Sequence, residues 1–327
     1  NPTSKYILKN SGKIDFGGEK SIGIQIYAPG SPSNVEVSNS GTGTNGIYMG
    51  GIESYGMKWS SRVSDSSTME NTGTIEISGD AGLATDGVTL LNSLSSGIAV
   101  IENSPNDKIR AYSGKVKNNG IINVSGGKGN TGMVLVVNAT DDITNDANGT
   151  INVSSTTGKQ NIAMRVDKGS IPTDAPGTPK AINSGAINLD GDSSIGMVGT
   201  KADVINNAGK TIGTTTGKTI VNGIGMATSG GDLQNSGTIN LKGITGTTAS
   251  TNVGVYMEKN GTNDPMGTLA STSNITVEGN NSTGVLVKNG TLNYGGDTLA
   301  KGLGVTGLIV GDNGTNTAVV TSKSTGK

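Results

Sequence analysis

The chain repeats one short phrase: asparagine, a small residue, glycine, a variable residue, isoleucine. It reads Asn10-Ser11-Gly12-Lys13-Ile14, Asn71-Thr72-Gly73-Thr74-Ile75, Asn118-Asn119-Gly120-Ile121-Ile122, Asn183-Ser184-Gly185-Ala186-Ile187 and Asn235-Ser236-Gly237-Thr238-Ile239. Looser copies run from Asn145 to Ile151 and from Asn206 to Ile212. From Asn118 onward the copies stand 27, 38, 23 and 29 residues apart. A basic unit of roughly 20 to 30 residues, lengthened by insertions, falls in the range of solenoid repeats. Such a chain builds a long surface on stacked coils instead of enclosing one pocket.

Two further signatures complete the unit. Short apolar runs open on glycine, as in Gly97-Ile98-Ala99-Val100, Gly132-Met133-Val134-Leu135-Val136 and Gly254-Val255-Tyr256-Met257. Others close on the next asparagine, as in Ala181-Ile182-Asn183 and Val204-Ile205-Asn206. One coil therefore reads as three short strands, with period-two alternation in Ile75-Glu76-Ile77 and Ile187-Asn188-Leu189. This predicts an all-β, right-handed parallel β-helix of three-strand coils, a single solenoid over residues 1–327. At about 27 residues per coil and about 4.8 Å between strands, roughly 12 coils make a rod on the order of 60 Å long.

Glycine permits the sharp bend at each corner. The asparagine amide both donates and accepts, so a corner asparagine is expected to hydrogen-bond to the coils above and below. Isoleucine and valine then point inward. Asn-Gly also marks hairpins in antiparallel sandwiches, but the recurring three-strand order argues against that fold. Composition agrees with a narrow tube: the chain has 54 glycines but one Trp, one Phe and seven Tyr.

Composition also narrows the chemistry. There is no cysteine and no histidine, which removes disulfides, thiolate or histidine zinc sites, cysteine nucleophiles and Ser-His-Asp triads. Asp141-Asp142 is the only adjacent acidic pair. Strand neighbours point to opposite faces, so these two do not converge on one bond. Asp190-Gly191-Asp192 lacks the length and the downstream glutamate of a calcium loop. Gly41-Thr42-Gly43 and Gly223-Ile224-Gly225 are not read as phosphate loops, because no helix is expected after them. The expectation is a non-enzyme with no cofactor and no metal. A net charge of −1 gives no footprint for nucleic acid, and no apolar run reaches membrane-spanning length. The start at Asn1-Pro2 and the stop at Gly326-Lys327 are expected to be cuts within a longer protein.

Tandem Asn-Ser-Gly-Xaa-Ile phrases with Gly-Ile-Gly-Met (Gly223 to Met226) or Gly-Val-Tyr-Met (Gly254 to Met257) strands resemble the passenger region of bacterial type V autotransporter adhesins, in particular fusobacterial outer-membrane adhesins. The resemblance covers nearly the whole chain. It implies a parallel β-helix exported to the bacterial cell surface, or secreted, and a role in virulence through attachment to host cells or other bacteria. The partner is then a surface receptor, glycan or protein.

Four long insertions are expected to share one corner of the coil: 50–69, 102–117, 167–180 and 258–273. Shorter versions lie at Thr200 to Asp203 and Ser229 to Asp232. Insertions on one side of a solenoid are often its binding face. The first two collect scarce residue types: Tyr55, Lys58, Trp59 and Arg62 in one, Arg110 and Tyr112 in the other. Trp, Tyr and Arg are enriched in binding hot spots, so these six are the candidate binding residues. A bland reading of Trp59 is that it pins its own loop to the coil. Arg165, between Met164 and Val166, reads as a solvated outward residue. Two other functions compete with attachment: a passive stalk that presents a distal tip, and a carbohydrate-active β-helix enzyme.

Overall fold

A computed structural model describes residues 5–27, 34–60, 67–101, 115–137, 142–156, 159–169, 177–244, 246, 250–311 and 318–322. The chain winds through three sheets in strict rotation, one strand in each per turn. The coil built from Asp142–Asn145, Thr150–Ser155 and Ile162–Lys168 is representative. Every third strand returns to the same sheet beside its predecessor, giving sheets of 11, 10 and 10 strands. All of the pairings between these strands are parallel, as at Thr150↔Ala186, Ile151↔Ile187 and Asn152↔Asn188. Over the described residues the fold is a parallel β-helix of ten complete coils with an eleventh begun in the first sheet, fewer than the roughly 12 expected. Excursions account for the difference: residues 78–95 leave the coil between the second and third sheets and include an antiparallel bridge, Leu83↔Leu90.

The repeated isoleucine lies near the start of each strand of the second sheet and faces the interior. Ile75, Ile122, Ile151, Ile187, Ile212, Ile239 and Ile275 stand in register and are fully buried. Across the tube Met57, Ile98, Met133, Met164, Met197 and Met226 form a second column. Burying each such side chain stabilises the fold by about 1.5–3 kcal/mol. Glycine precedes every member of that second column except Met164, which follows Ala163, because the sheets pinch together there. A Cβ on Gly132 would lie 2.7 Å from the carbonyl oxygen of Ala163 and from Cγ2 of Ile151.

The corner asparagines form a ladder. Asn10, Asn39, Asn71, Asn118, Asn145, Asn183 and Asn206 each pass Nδ2–H to Oδ1 of the asparagine one coil on, over 2.8–2.9 Å, and the last acceptor is Asn235. The same Nδ2 groups also reach backbone carbonyls, as from Asn145 to Gly149 and Ala186. In the next coil Leu269 occupies the register position. The ladder ends there on the Ser273 hydroxyl, which accepts from Asn235 at 2.6 Å.

A second polar spine, which the repeated phrase does not predict, runs along the corner between the second and third sheets. The backbone N–H groups of Ser21, Ser54, Ser95 and Asn130 donate to side-chain oxygens of Ser54, Ser95, Asn130 and Asn161. Asn252 and Ser282 continue the pattern. Each takes the N–H of the coil before it, so these buried hydroxyls and amides satisfy backbone donors that the bend would otherwise orphan.

Candidate functional site

The corner from the third sheet to the first is where most of the expected insertions fall. Residues 102–114 and 170–176 fall on it but lie outside the described residues, as do 28–33, 61–66, 138–141 and 312–317. The expected insertion 50–69 is different. Its residues Tyr55–Trp59 are a strand of the third sheet, paired with Ile22–Ile26 and with Ser96–Ile101. Only the segment between Trp59 and Thr68 connects the third sheet to the first, the corner on which most of 102–117 and 167–180 also fall. The expected insertion 258–273 likewise contains a strand, Met266–Leu269 of the first sheet, so only its residues 259–265 lie at this corner and 270–273 belong to the next one.

This placement corrects the aromatic cluster. Strand alternation sends Met57 and Trp59 inward, and Trp59 is 0% exposed between Ile26 and Val100. Its ring fills the tube and offers no face to a ligand. Tyr55 and Lys58 point outward from the third sheet, half-buried, with the Lys58 ammonium 4.4 Å from the Tyr55 ring centre. Burial holds the Lys58 ammonium below its usual pKa and, with the Glu53 carboxylate nearby, raises that of the Tyr55 phenol. Arg62, Arg110 and Tyr112 lie outside the described residues. Arg165 does face outward, as the alternation predicts, and donates from Nε to Asp167 at 2.7 Å.

What the corner does build is a polar cleft of about 430 Å³. Four successive turns line it: Lys168 and Thr178 from one, Lys201 and Asp203 from the next, Gly230 to Asp232 from the third, Thr262 to Asp264 from the fourth. The turns stack through backbone bonds, Lys201 N–H to Ser229 and Gly230 N–H to Glu258. Lys201 and Gly230 both take positive φ, at 52° and 75°, which reverses the chain tightly enough to leave the cleft open. Asp203 accepts the N–H of Asp232, and Asp232 accepts that of Met266, each at 3.0 Å. Burial raises the Asp203 pKa, and the Asp232 carboxylate adds to this, against the opposing pull of the Asp232 N–H and of Lys180.

The lining mixes carboxylates, ammonium groups, hydroxyls and the Asn263 amide, with no aromatic platform. It suits a ligand rich in hydrogen-bonding groups. Among the described residues no three potential metal-binding side chains converge. The sequence carries a trace of this site, since the short corners at Thr200 to Asp203 and Ser229 to Asp232 are equivalent in the repeat. Their convergence on one cleft follows only from coil stacking. No protein-family model matches the chain, and no curated protein or solved structure is detectably similar to it.

Proposed function

We propose that this chain is part of a cell-surface adhesin and attaches to a receptor on host cells or other bacteria through its loop-bearing corner. The observation that carries this reading is the polar cleft assembled from four consecutive turns on one edge of the rod. Two of its carboxylates, Asp203 and Asp232, are engaged in holding turns in place, which favours recognition over catalysis. The expected ligand is a glycan or a polar protein loop.

The test is binding of the chain to epithelial cells, to bacteria and to a glycan array, beside a Thr262→Arg/Asp264→Arg variant. Both positions are exposed on the cleft wall. Binding that falls at least about tenfold in the variant is expected, the scale of one hot-spot contact. Equal binding by both chains moves the receptor site elsewhere. If neither binds, the spacer role stands in its place, a reading favoured by the uninterrupted amide ladder that ties coil to coil. Cleavage of any polysaccharide on incubation would make the cleft catalytic instead.

A further inference from the structure

Asparagine is followed directly by glycine at Asn45, Asn119, Asn148, Asn222, Asn260, Asn289 and Asn313. Such a pair carries its own chemistry. The glycine backbone nitrogen attacks Cγ of the asparagine, because no Cβ crowds its approach. An N–Cγ bond forms, the Cγ–Nδ2 bond breaks, and the attacking N–H proton departs with the amide nitrogen as ammonia. Water then opens the succinimide ring at either carbonyl, giving aspartate or isoaspartate. No electrons change hands. The fold decides which pairs react. The glycine N–H must be unengaged, and the backbone must turn to bring the nitrogen within about 3–3.5 Å of Cγ.

Most of the pairs are held. The Gly149 N–H donates to the Asp146 carbonyl at 2.8 Å, and the Gly223 N–H to Oδ1 of Asn252 at 2.8 Å. Gly46 and Gly120 are buried between coils, where a Cβ would collide with the carbonyl oxygens of Thr74 and Gly73. Asn313 lies outside the described residues. The remaining two share one tetrapeptide: Lys259-Asn260-Gly261-Thr262 repeats as Lys288-Asn289-Gly290-Thr291. Asn289 is 4% exposed, and its Oδ1 accepts the Lys259 N–H at 2.9 Å. Gly290 opens a strand of the first sheet, pressed against Pro265. Asn260 stands instead at the base of a projecting hairpin tip whose residues 261–264 are all exposed. Asn260 and Asn263 exchange two backbone bonds of 3.1 Å in an isolated bridge, which frays at little cost. The Asn260 Nδ2 reaches the Ser229 hydroxyl at 3.4 Å, a long contact. Among the described residues nothing accepts the Gly261 N–H, and nothing lies within 4 Å of where its Cβ would sit.

We propose that Asn260-Gly261 is a self-modifying site, which converts to aspartate and isoaspartate in the folded chain while its twin Asn289-Gly290 does not. The site adjoins the cleft: Thr262 to Asp264 line it, and Gly230 on the neighbouring turn packs against Asn260. Aspartate would add a carboxylate beside that of Asp264. Isoaspartate would route the backbone through Cβ and Cγ, lengthen it by one methylene and break the pairing with Asn263. The reaction needs no receptor, so its test is independent of any attachment role.

The experiment is mass-spectrometric peptide mapping of the full chain after weeks in mildly alkaline buffer, one sample native and one in urea. Circular dichroism checks that the native sample stays folded. The map follows the mass gain of amide to acid at each asparagine, and an isoaspartyl methyltransferase labels the isoaspartate. In the folded chain Asn260 is expected to convert, with Asn289 at least about tenfold slower because it reacts only through local opening. In urea the two are expected to convert at similar rates, since their adjoining residues are the same. Asn260→Gln is expected to remove the label from that peptide alone, because its ring closure is slower. An unchanged Asn260 in the folded chain, equal rates at Asn260 and Asn289 there, faster conversion at Asn148 or Asn222, or a gap that persists undiminished in urea each overturns the proposal.

Discussion

Replacing Asn145 by alanine tests the amide ladder at its centre. The side chain is fully buried. Its Oδ1 accepts from Asn118 at 2.9 Å, and its Nδ2 donates to Asn183 at 2.9 Å, to Ala186 at 3.1 Å and to Gly149 at 3.3 Å. Truncation removes all four. Asn118 Nδ2 keeps the carbonyls of Gly120 and Thr150, and Asn183 Oδ1 keeps the Gly185 N–H. The Gly149 and Ala186 carbonyls lose the amide outright. About 1 kcal/mol for each lost bond, together with a small cavity, gives a cost of roughly 3–5 kcal/mol. At a urea dependence of about 3 kcal/mol per M, the unfolding midpoint falls by more than about 1 M. Hydrogen exchange adds the location: in a solenoid each coil touches only its neighbours, so protection is expected to fall first at residues 118, 145 and 183 and to persist near either end. The control is Thr144→Ala on the outer face of the same strand, expected within about 0.5 kcal/mol of wild type. A cost for Asn145→Ala no larger than that control would refute the ladder as a source of stability.

Asn145→Asp keeps the shape but cannot donate from both positions, so the buried carboxyl faces the Asn183 oxygen and favours its protonated form. Its pKa in the folded chain is then raised above the unfolded value, and the variant is expected to be most stable in acid, losing stability as pH rises through the folded pKa. The same sign applies to native Asp203, whose pKa burial raises: Asp203→Asn is expected to stabilise the chain at neutral pH, with the gain vanishing near pH 3 in urea titrations. Trp59→Ala is expected to cost about 3–5 kcal/mol, as for other buried large rings, while Tyr55→Ala on the outer side of the same strand costs little; thermal melts of the two separate a core ring from a surface one. Gly132→Val is expected to prevent correct stacking locally, whereas Gly132→Ala costs only about 1–3 kcal/mol, since Ala163 already holds a methyl in that column; chemical denaturation of the pair distinguishes a steric pinch from simple backbone freedom.

The coil order is legible in the sequence because each strand type has its own opening or closing residue. Asn145 and Asn183 close strands of the first sheet, Ile151 and Ile187 sit one residue into strands of the second, and Gly132 and Gly254 mark the third. Trp59 misleads because Tyr55-Gly56-Met57-Lys58-Trp59 carries the glycine-led pattern in residues that look like a surface patch; the glycine is a better guide than the ring. The second spine leaves no fixed phrase, because serine and asparagine substitute for one another at Ser54, Ser95 and Asn130. The cleft depends on which turns lie side by side, and insertions of unequal length hide that from any reading along the chain. The outward positions of the third sheet are hidden for a related reason: Ile195 and Val198 look like core residues, yet they are only half-buried and flank the buried Met197.

All the ladder amides point the same way. From Asn10 to Asn206 every NH2 group is aimed at the following coil, and from Asn39 to Asn235 every oxygen at the preceding one. Reversing one amide would press two oxygens together on one side and two NH2 groups on the other, so no rung can turn alone. The column is therefore polarised from end to end, and a newly winding turn added beyond Asn235 must present an acceptor. Ser273 does so, which lets the amides stop without leaving a donor stranded.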